Sequence, residues 1–191
     1  MKTREQPVAA SAASVERRRS SDQPTPGWVV PTHIVAASLI SSTWFAVQFM
    51  LPVLAVKRFG GSGWQTVQVT AAPMVLSVLS IFWNAALSGR RLPSYLAGVW
   101  VLMGLPLAAI GLADDYWHLL IPQLIACIGF AGYHPVAGDL LRTLYPERSR
   151  GRVYSWGWGA SMCTGAAAGF VMGRLLERDA DAFRVIMPVA A

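Results

Sequence analysis

Polar side chains recur at helical spacing within two apolar stretches of this chain. In the first stretch, Ser41, Trp44 and Gln48 lie three and four residues apart, so an α-helix places them on one face. Glutamine offers a hydrogen-bond donor and an acceptor, and tryptophan adds an aromatic surface with one N–H. These groups suit contacts to a polar solute, and they equally suit hydrogen bonds between neighbouring helices. The spacing is compatible with both roles.

The second polar face carries a histidine. Gln123, Cys127, Phe130 and His134 are spaced by four, three and four residues, which brings them to one side of a helix. The imidazole of His134, with an ordinary pKa of about 6.5, can gain and lose a proton near neutral pH. The alternative, which we favour, is that His134 stays neutral and hydrogen-bonds a carbonyl released by the bend at Pro135.

A carboxylate lies about one turn beyond this histidine. We expect Asp139 to form a structural ion pair with Arg142, three residues on, or with Arg150 or Arg152 from the following loop. The less favoured alternative is that Asp139 couples a cation to solute movement. His134, Asp139, Arg142 and Arg150 are therefore candidates for coupling or gating.

The elements that position these residues are long apolar stretches. Five of them approach or exceed the roughly 20 residues that carry a helix across a hydrocarbon layer of about 30 Å. They cover about residues 34–56, 66–88, 95–113, 116–141 and 153–175, and a sixth run over 183–191 is too short to cross. The sequence predicts an all-α, polytopic membrane helix bundle over residues 31–191, in which the chain ends inside its sixth helix.

Composition agrees with a membrane protein. Hydrophobic residues make up 54% of the chain and charged residues only 14%, against about 25% charged residues in soluble domains. The net charge of +6 does not indicate nucleic acid, because the basic residues lie at the ends of apolar runs, where lipid headgroups are the expected partner. Residues 1–30 are predicted to be a disordered tail.

The distribution of basic residues predicts a cytoplasmic amino terminus in a multi-pass protein of the cell membrane. With that orientation, 11 basic residues lie inside and 5 outside. The inner set is Lys2, Arg4, Arg17, Arg18, Arg19, Arg90, Arg91, Arg142, Arg148, Arg150 and Arg152. The outer set is Lys57, Arg58, Arg174, Arg178 and Arg184.

Proline and glycine predict how the helices bend and pack. Prolines fall within the apolar stretches, and each frees a backbone carbonyl that must find a partner on a neighbouring helix or in a cavity. They are Pro52, Pro73, Pro106, Pro122 and Pro135. Gly165, Gly169 and Gly173 follow one another at intervals of four, which predicts a face where two helices approach closely. We favour a static packing contact over a sliding surface.

No enzyme is predicted. The chain has no GxSxG, HExxH or Walker sequence, and His33, His118 and His134 are too scattered for a recognised metal site. Neither a metal nor a cofactor is expected. An alternative that needs no solute path is a polytopic membrane protein that anchors or scaffolds a partner.

The segment DLLRTLYPERSRGRVY, residues 139–154, resembles the major facilitator superfamily of secondary transporters. The resemblance rests on an ordered series of residues along the fourth and fifth stretches. The series is Gly129, Gly132, Pro135, Asp139, Pro146, Glu147, Arg150, Gly151, Gly165, Gly169 and Gly173. It covers about residues 34–191 and implies the amino-terminal six-helix half of a twelve-helix transporter that works by alternating access, with a carboxy-terminal half as its partner.

The resemblance also implies roles for particular residues. It implies that the first and fourth helices line the solute path, which makes substrate contacts of Ser41, Trp44, Gln48, Gln123 and His134. In the loop after the second helix, Gly89, Arg90 and Arg91 match the end of the family's gating motif, so both arginines are gate candidates. The acidic and first basic positions of that motif hold Ala86 and Leu87, so the charged latch is incomplete. Phe170 replaces the proline of the antiporter pattern, and antiport is not inferred.

Overall fold

The computed structural model describes residues 28–87, 91–179 and 181–190. The predicted tail and Arg90 fall outside these ranges, except for the last three residues of the tail. Every regular element of the described residues is helical. The α-helices are α1 (Val29–Lys57), α2 (Gly63–Leu76), α3 (Ser80–Leu87), α4 (Leu92–Ile110), α5 (Tyr116–Leu144), α6 (Glu147–Arg178) and α7 (Phe183–Ala190), with a 3₁₀ turn at Ser77–Leu79.

Four segments are long and apolar enough to cross a membrane: Ser38–Lys57, Gly63–Leu87, Leu92–Ile110 and Tyr116–Leu144. The fifth predicted crossing lies within α6, whose 32 residues give a length of about 48 Å. Among the described helices that are long enough to cross, α6 is the one that is not apolar enough to qualify, because glycine and polar residues interrupt its hydrophobic positions. The all-α prediction and four of the predicted crossings therefore agree with the structure.

The helices extend beyond several predicted limits. α5 continues past residue 141 to Leu144, and α6 begins at Glu147 instead of residue 153. Charged residues occupy these added turns, and a helix can continue past the apolar layer when its ends meet headgroups and water. Glu147 in the first turn and Arg178 in the last turn of α6 also match the helix dipole.

The second crossing is broken in the middle. α2 contains Pro73 and gives way to the 3₁₀ turn before α3 begins. Pro73 has no N–H, so the carbonyl of Val69 loses the partner that an unbroken helix would supply. The side chain of Gln123 on α5 replaces it, with its Nε2 donating to Val69 O at 2.8 Å. The predicted partner on a neighbouring helix is present at this proline.

The most extensive contact between two helices is that of α6 with α1. A Cβ added to Gly165 would lie 2.7 Å from Phe45 Cβ, and one added to Gly169 would lie 3.5 Å from Phe49 Cβ. Two of the three glycines in the predicted strip therefore face α1. A Cβ on Gly173 would meet no described atom within 4 Å, so the third position is outside this close approach.

The other helices assemble around α5. α4 packs along α5, and α2 and α3 pack on another part of it, while α7 lies against α4. α1 also touches α2, α5 and α7, and α5 touches α6. At the α4–α5 contact, a Cβ on Gly129 would lie 2.9 Å from the backbone nitrogen of Met103, so only glycine allows this approach.

Large apolar side chains cover the outside of the bundle. Phe82, Leu105, Trp156 and Phe170 are each at least 65% exposed. A surface of this kind is unfavourable in water, whereas hydrocarbon tails match it without cost. The exposed faces therefore fit a lipid environment.

Opposite charges pair at one end of the bundle, which we call the ion-paired end. Arg184 Nη2 lies 2.8 Å from Asp114 Oδ1, and Asp181 lies 3.1 Å from Arg58 Nη2 and 3.7 Å from Arg184 Nε. These contacts join the end of α1, the α4–α5 loop and the start of α7. The Arg184 guanidinium, which donates a hydrogen bond to Asp114, holds the pKa of this carboxyl below its ordinary value of 3.8.

The opposite end carries the unbalanced charge and is called the arginine end. Its described charged residues are Arg91, Arg142, Arg148, Arg150, Arg152, Asp139 and Glu147. This end therefore has five described basic residues and only two described acidic ones. The charge asymmetry that the sequence shows along the chain therefore becomes an asymmetry between the two ends of one folded bundle.

Candidate functional site: an aromatic cavity beside the arginine end

A cavity of about 520 Å³ lies among α1, α4, α5 and α6. It exists because α6 packs mainly along α1 and leaves α5 largely uncovered on the side near Val153 and Leu141. Ser41 comes from α1 and Trp100 from α4, while α5 and α6 supply most of the remaining lining. The cavity lies toward the arginine end, since it includes the last turns of α5 and the first turns of α6.

Six aromatic side chains line this cavity: Trp100, Phe130, Tyr133, His134, Tyr154 and Trp158. On α5, the rings of Phe130 and Tyr133 stack with centroids 6.1 Å apart and an interplanar angle of 22°. On α6, Tyr154 and Trp158 stack at 6.1 Å and 15°. Both helices therefore contribute a pair of aromatic rings to the lining of the same cavity.

The polar side chains of the lining are few and uncharged or weakly basic. They are the hydroxyls of Ser41 and Ser161, the phenols of Tyr133 and Tyr154, the indole N–H groups and the imidazole of His134. Ser161 Oγ donates to Gly157 O at 2.8 Å, which leaves its lone pairs as acceptors. None of the described residues that line the cavity is Asp, Glu, Lys or Arg.

The two polar faces of the sequence meet beneath this cavity. The rings of Trp44 and Phe130 stack with centroids 4.2 Å apart and an interplanar angle of 10°. Trp44 is buried, and Phe130 also contacts His134 edge to face at 5.1 Å. The face of α1 that carries Ser41 and Trp44 thus lies opposite the face of α5 that carries Phe130 and His134.

The two glutamines lie outside the cavity and contact each other. Gln123 Nε2, already bonded to Val69 O, also lies 3.3 Å from Gln48 Oε1. This arrangement fixes the amide orientations, because the carbonyl of Val69 requires the nitrogen of Gln123. Gln48 Nε2 and Gln123 Oε1 are then buried without a hydrogen-bond partner among the described residues. For Gln123 in particular, the geometry matches an interhelical hydrogen bond.

The predicted ion pair of Asp139 is not formed with any described base. Its side chain is exposed, and only its backbone carbonyl accepts a bond, from Thr143 Oγ1 at 2.8 Å. Arg150 instead caps the end of α5: Nε donates to Tyr145 O at 2.8 Å and Nη2 to Arg142 O at 2.9 Å. The guanidinium satisfies carbonyls that the helix end leaves open, and this outweighs a solvent-exposed pairing with a carboxylate.

The gate candidates are spread along the arginine end. Arg91 precedes α4 as its N-cap residue and is exposed, and Arg142 is exposed on the last turn of α5. Arg90 lies outside the described residues. Within the described ranges, no group of three or more His, Cys, Asp or Glu side chains is arranged to hold a metal ion.

Most of the aromatic lining does not follow from the sequence. Ser41, Phe130 and His134 lay on the predicted polar faces and do share the cavity. The other four aromatic residues of the lining were not singled out: Trp100, Tyr133, Tyr154 and Trp158. One signal was available, since Tyr154 and Trp158 are four residues apart on one helical face. Trp100 gave no such signal, because only the packing of α4 against α5 brings it there.

Comparison with known proteins gives no match for this chain, whether against protein-family models, curated proteins or solved structures.

Proposed function

We propose that this chain forms the amino-terminal helix bundle of a secondary transporter of the major facilitator type, which moves a small solute by alternating access. The observation that carries the proposal is the pattern of helix packing. Transporters of this class are built from three-helix repeats related by inversion, so that each half contains two such repeats. A chain with this origin should show packing contacts that come in matched pairs.

The packing has this property when the first repeat is taken as α1, α2–α3 and α4, and the second as α5, α6 and α7. In this division α1 corresponds to α5, α2–α3 to α6, and α4 to α7. The contact of α1 with α6 then corresponds to that of α5 with α2–α3, and the contact of α4 with α5 corresponds to that of α7 with α1. The contact of α1 with α2 likewise corresponds to that of α5 with α6, and exchanging the repeats leaves α1–α5 and α4–α7 as they are. Each principal packing among the described helices therefore has its counterpart, but the extents differ: α7, a helix of eight residues, touches α1 far less than α4 touches α5.

The solute path in this proposal runs between α1 and α5. The aromatic contact of Trp44 with Phe130 and the amide contact of Gln48 with Gln123 are made across that boundary. Ser41 and His134 open into the cavity beside it. A helix pair that meets through a few side chains can separate and close without breaking an extended packing surface.

The experiment is solute uptake by the intact gene product in phospholipid vesicles, tested over a panel of radiolabelled sugars, peptides, organic anions, organic cations and aromatic compounds. We expect time-dependent, saturable accumulation of at least one class. A Ser41→Trp variant, which fills the cavity from α1, should abolish it, and protein-free vesicles set the background.

The second candidate is a membrane scaffold that moves nothing. It is favoured by the Gln48–Gln123 contact, since the two amides bond to each other, Gln123 also donates to Val69 O, and neither glutamine lines the cavity. If no member of the panel enters the vesicles above background while the protein stays folded, the scaffold becomes the better account and transport is rejected.

A further inference from the structure

The cavity among α1, α4, α5 and α6 is more aromatic than the path of a strongly polar solute requires. We propose that it binds an uncharged, planar aromatic solute that carries one hydrogen-bonding group. Binding of this solute does not require transport. Only the further step, that the bound solute is also the transported one, rests on the proposed function.

The aromatic pairs supply the first argument. Phe130 with Tyr133 and Tyr154 with Trp158 are each nearly parallel, and all four rings line the same cavity. Planar rings bind to such surfaces by offset stacking or edge-to-face contact, which adds to the gain from burial. A flexible alkyl chain gains burial alone and has no use for the ring orientation.

The absence of counter-charges supplies the second argument. No described residue in the lining is Asp, Glu, Lys or Arg. An organic anion or cation that entered would lose its hydration without a full charge to replace it. An uncharged solute avoids this cost.

The polar groups and the size of the cavity complete the description. Ser41, Ser161 and His134 offer a hydroxyl donor, an acceptor lone pair and an imidazole, which is enough for one polar substituent. The volume of about 520 Å³ falls in the range of about 300–1,000 Å³ that is usual for small-molecule sites. A bicyclic ring with a single N–H or O–H fits these requirements.

The test is binding of 5-fluoroindole to the 191-residue chain in phosphatidylcholine nanodiscs, followed by the ¹⁹F resonance of the probe. We expect saturable binding that Gly157→Phe removes. Gly157 lines the cavity, and a Cβ added there meets no described atom within 4 Å, so the new ring enters the cavity without a backbone clash. Gly138→Phe on α5 is a second blocking variant with the same properties.

The matched control is Gly159→Phe. Gly159 lies on the same helix two residues further on, has equally open space and does not line the cavity. It introduces the same ring and the same loss of glycine, so we expect it to bind 5-fluoroindole as the unchanged chain does. Thermal unfolding of all three variants checks that each remains folded.

Three results would overturn the inference: no saturable binding of 5-fluoroindole, binding that survives in both blocking variants, or stronger binding of tetramethylammonium, benzoate or dodecanol. Failure of the transport proposal looks different. If 5-fluoroindole binds as described but no solute crosses the vesicle membrane, the binding site stands and transport falls. If another solute is transported while 5-fluoroindole does not bind, transport stands and this inference falls.

Discussion

Gln123 shows how one side chain can look functional in the sequence and have a structural task in the fold. A buried amide in an apolar helix suggests a solute contact, yet its Nε2 donates to the Val69 carbonyl that Pro73 leaves open. Proline and glutamine are 50 positions apart in the sequence, so only the packing of α2 on α5 reveals that one compensates for the other. The bond lets the second crossing bend without an unsatisfied carbonyl in the hydrocarbon.

A double-mutant cycle tests this compensation. Gln123→Leu should lower the free energy of unfolding by roughly 1–2 kcal/mol, because it leaves the Val69 carbonyl and the Gln48 amide without a partner. The same change in a Pro73→Ala background should cost clearly less, since the alanine introduced there would supply the missing N–H within the helix. Equilibrium unfolding in mixed detergent micelles measures both. Equal costs in the two backgrounds would refute the link between Gln123 and Pro73.

The candidate site was predictable only where its residues share a helix. Spacing placed Ser41 with Trp44, and Phe130 with His134, because helical periodicity is local. It did not place Trp100 or Trp158 beside them, since that depends on how α4 and α6 approach α5. Spacing also predicted an ion pair of Asp139 with Arg142 or Arg150. In the structure Arg150 donates to the backbone carbonyl of Arg142 at the end of α5, and Asp139 has no described basic partner.

At the scale of elements, the contact between α1 and α6 depends on missing side chains. Gly165 lets α6 approach Phe45, whereas a Cβ added to Gly169 would lie at an ordinary contact distance of 3.5 Å from Phe49 Cβ. The four-residue interval between the glycines predicted such a face, but it did not show where the face ends. Gly173 continues the interval, but a Cβ added there would meet no described atom within 4 Å.

Changing single glycines of this strip to alanine should distinguish the glycine that contacts α1 from the one that only continues the four-residue interval. Gly165→Ala should destabilise the bundle by about 1–3 kcal/mol, because its Cβ overlaps Phe45 and α6 must move away. Gly173→Ala, the matched control, should be neutral or slightly stabilising, since it adds helix propensity in open space. Thermal unfolding in detergent compares them. A loss at Gly173 as large as that at Gly165 would refute this assignment of the contact.

Helices were the most predictable elements because length and hydropathy decide them. The four apolar crossings follow from that rule, while the limits of α5 and α6 do not, since their charged end turns continue the helix beyond the apolar layer. Pro73 predicted a bend within the second crossing, but the 3₁₀ turn depends on how α2 and α3 pack on α5.

At the scale of the whole molecule, the two ends of the bundle differ in charge balance, and this difference predicts orientation. The arginine end should face the cytoplasm, because unpaired basic residues are retained there during insertion. In a background with both native cysteines replaced by serine, Leu112→Cys at the ion-paired end should react with a membrane-impermeant maleimide on intact cells. Thr143→Cys at the arginine end should react only after permeabilisation. The reverse labelling pattern would invert the predicted topology.

Acid should weaken the ion-paired end. The pKa of Asp114 is lower in the folded chain than its ordinary value of 3.8, mainly because Arg184 donates a hydrogen bond to it. The stabilisation is therefore complete above about pH 5 and is lost as pH falls through the folded pKa, below 3.8. The unfolding temperature of the unchanged chain should fall more steeply below pH 4 than that of Asp114→Asn. At about 1 M salt the two should converge, since screening weakens exposed pairs; identical profiles at low salt would contradict this role.

The pairing of α1 with α6 also has a consequence in time. Lys57 ends α1 and Glu147 begins α6, so at about 5–20 residues per second a ribosome needs roughly 5–20 s between them. During that interval the face of α1 around Phe45, which Gly165 of α6 approaches in the folded bundle, lacks the helix that will cover it. The nascent first helix must therefore wait beside the translocon or a chaperone. An arrest-peptide force profile should show a late rise in the force on the nascent chain when α6 enters the membrane and packs on α1, and Gly165→Leu should reduce that force.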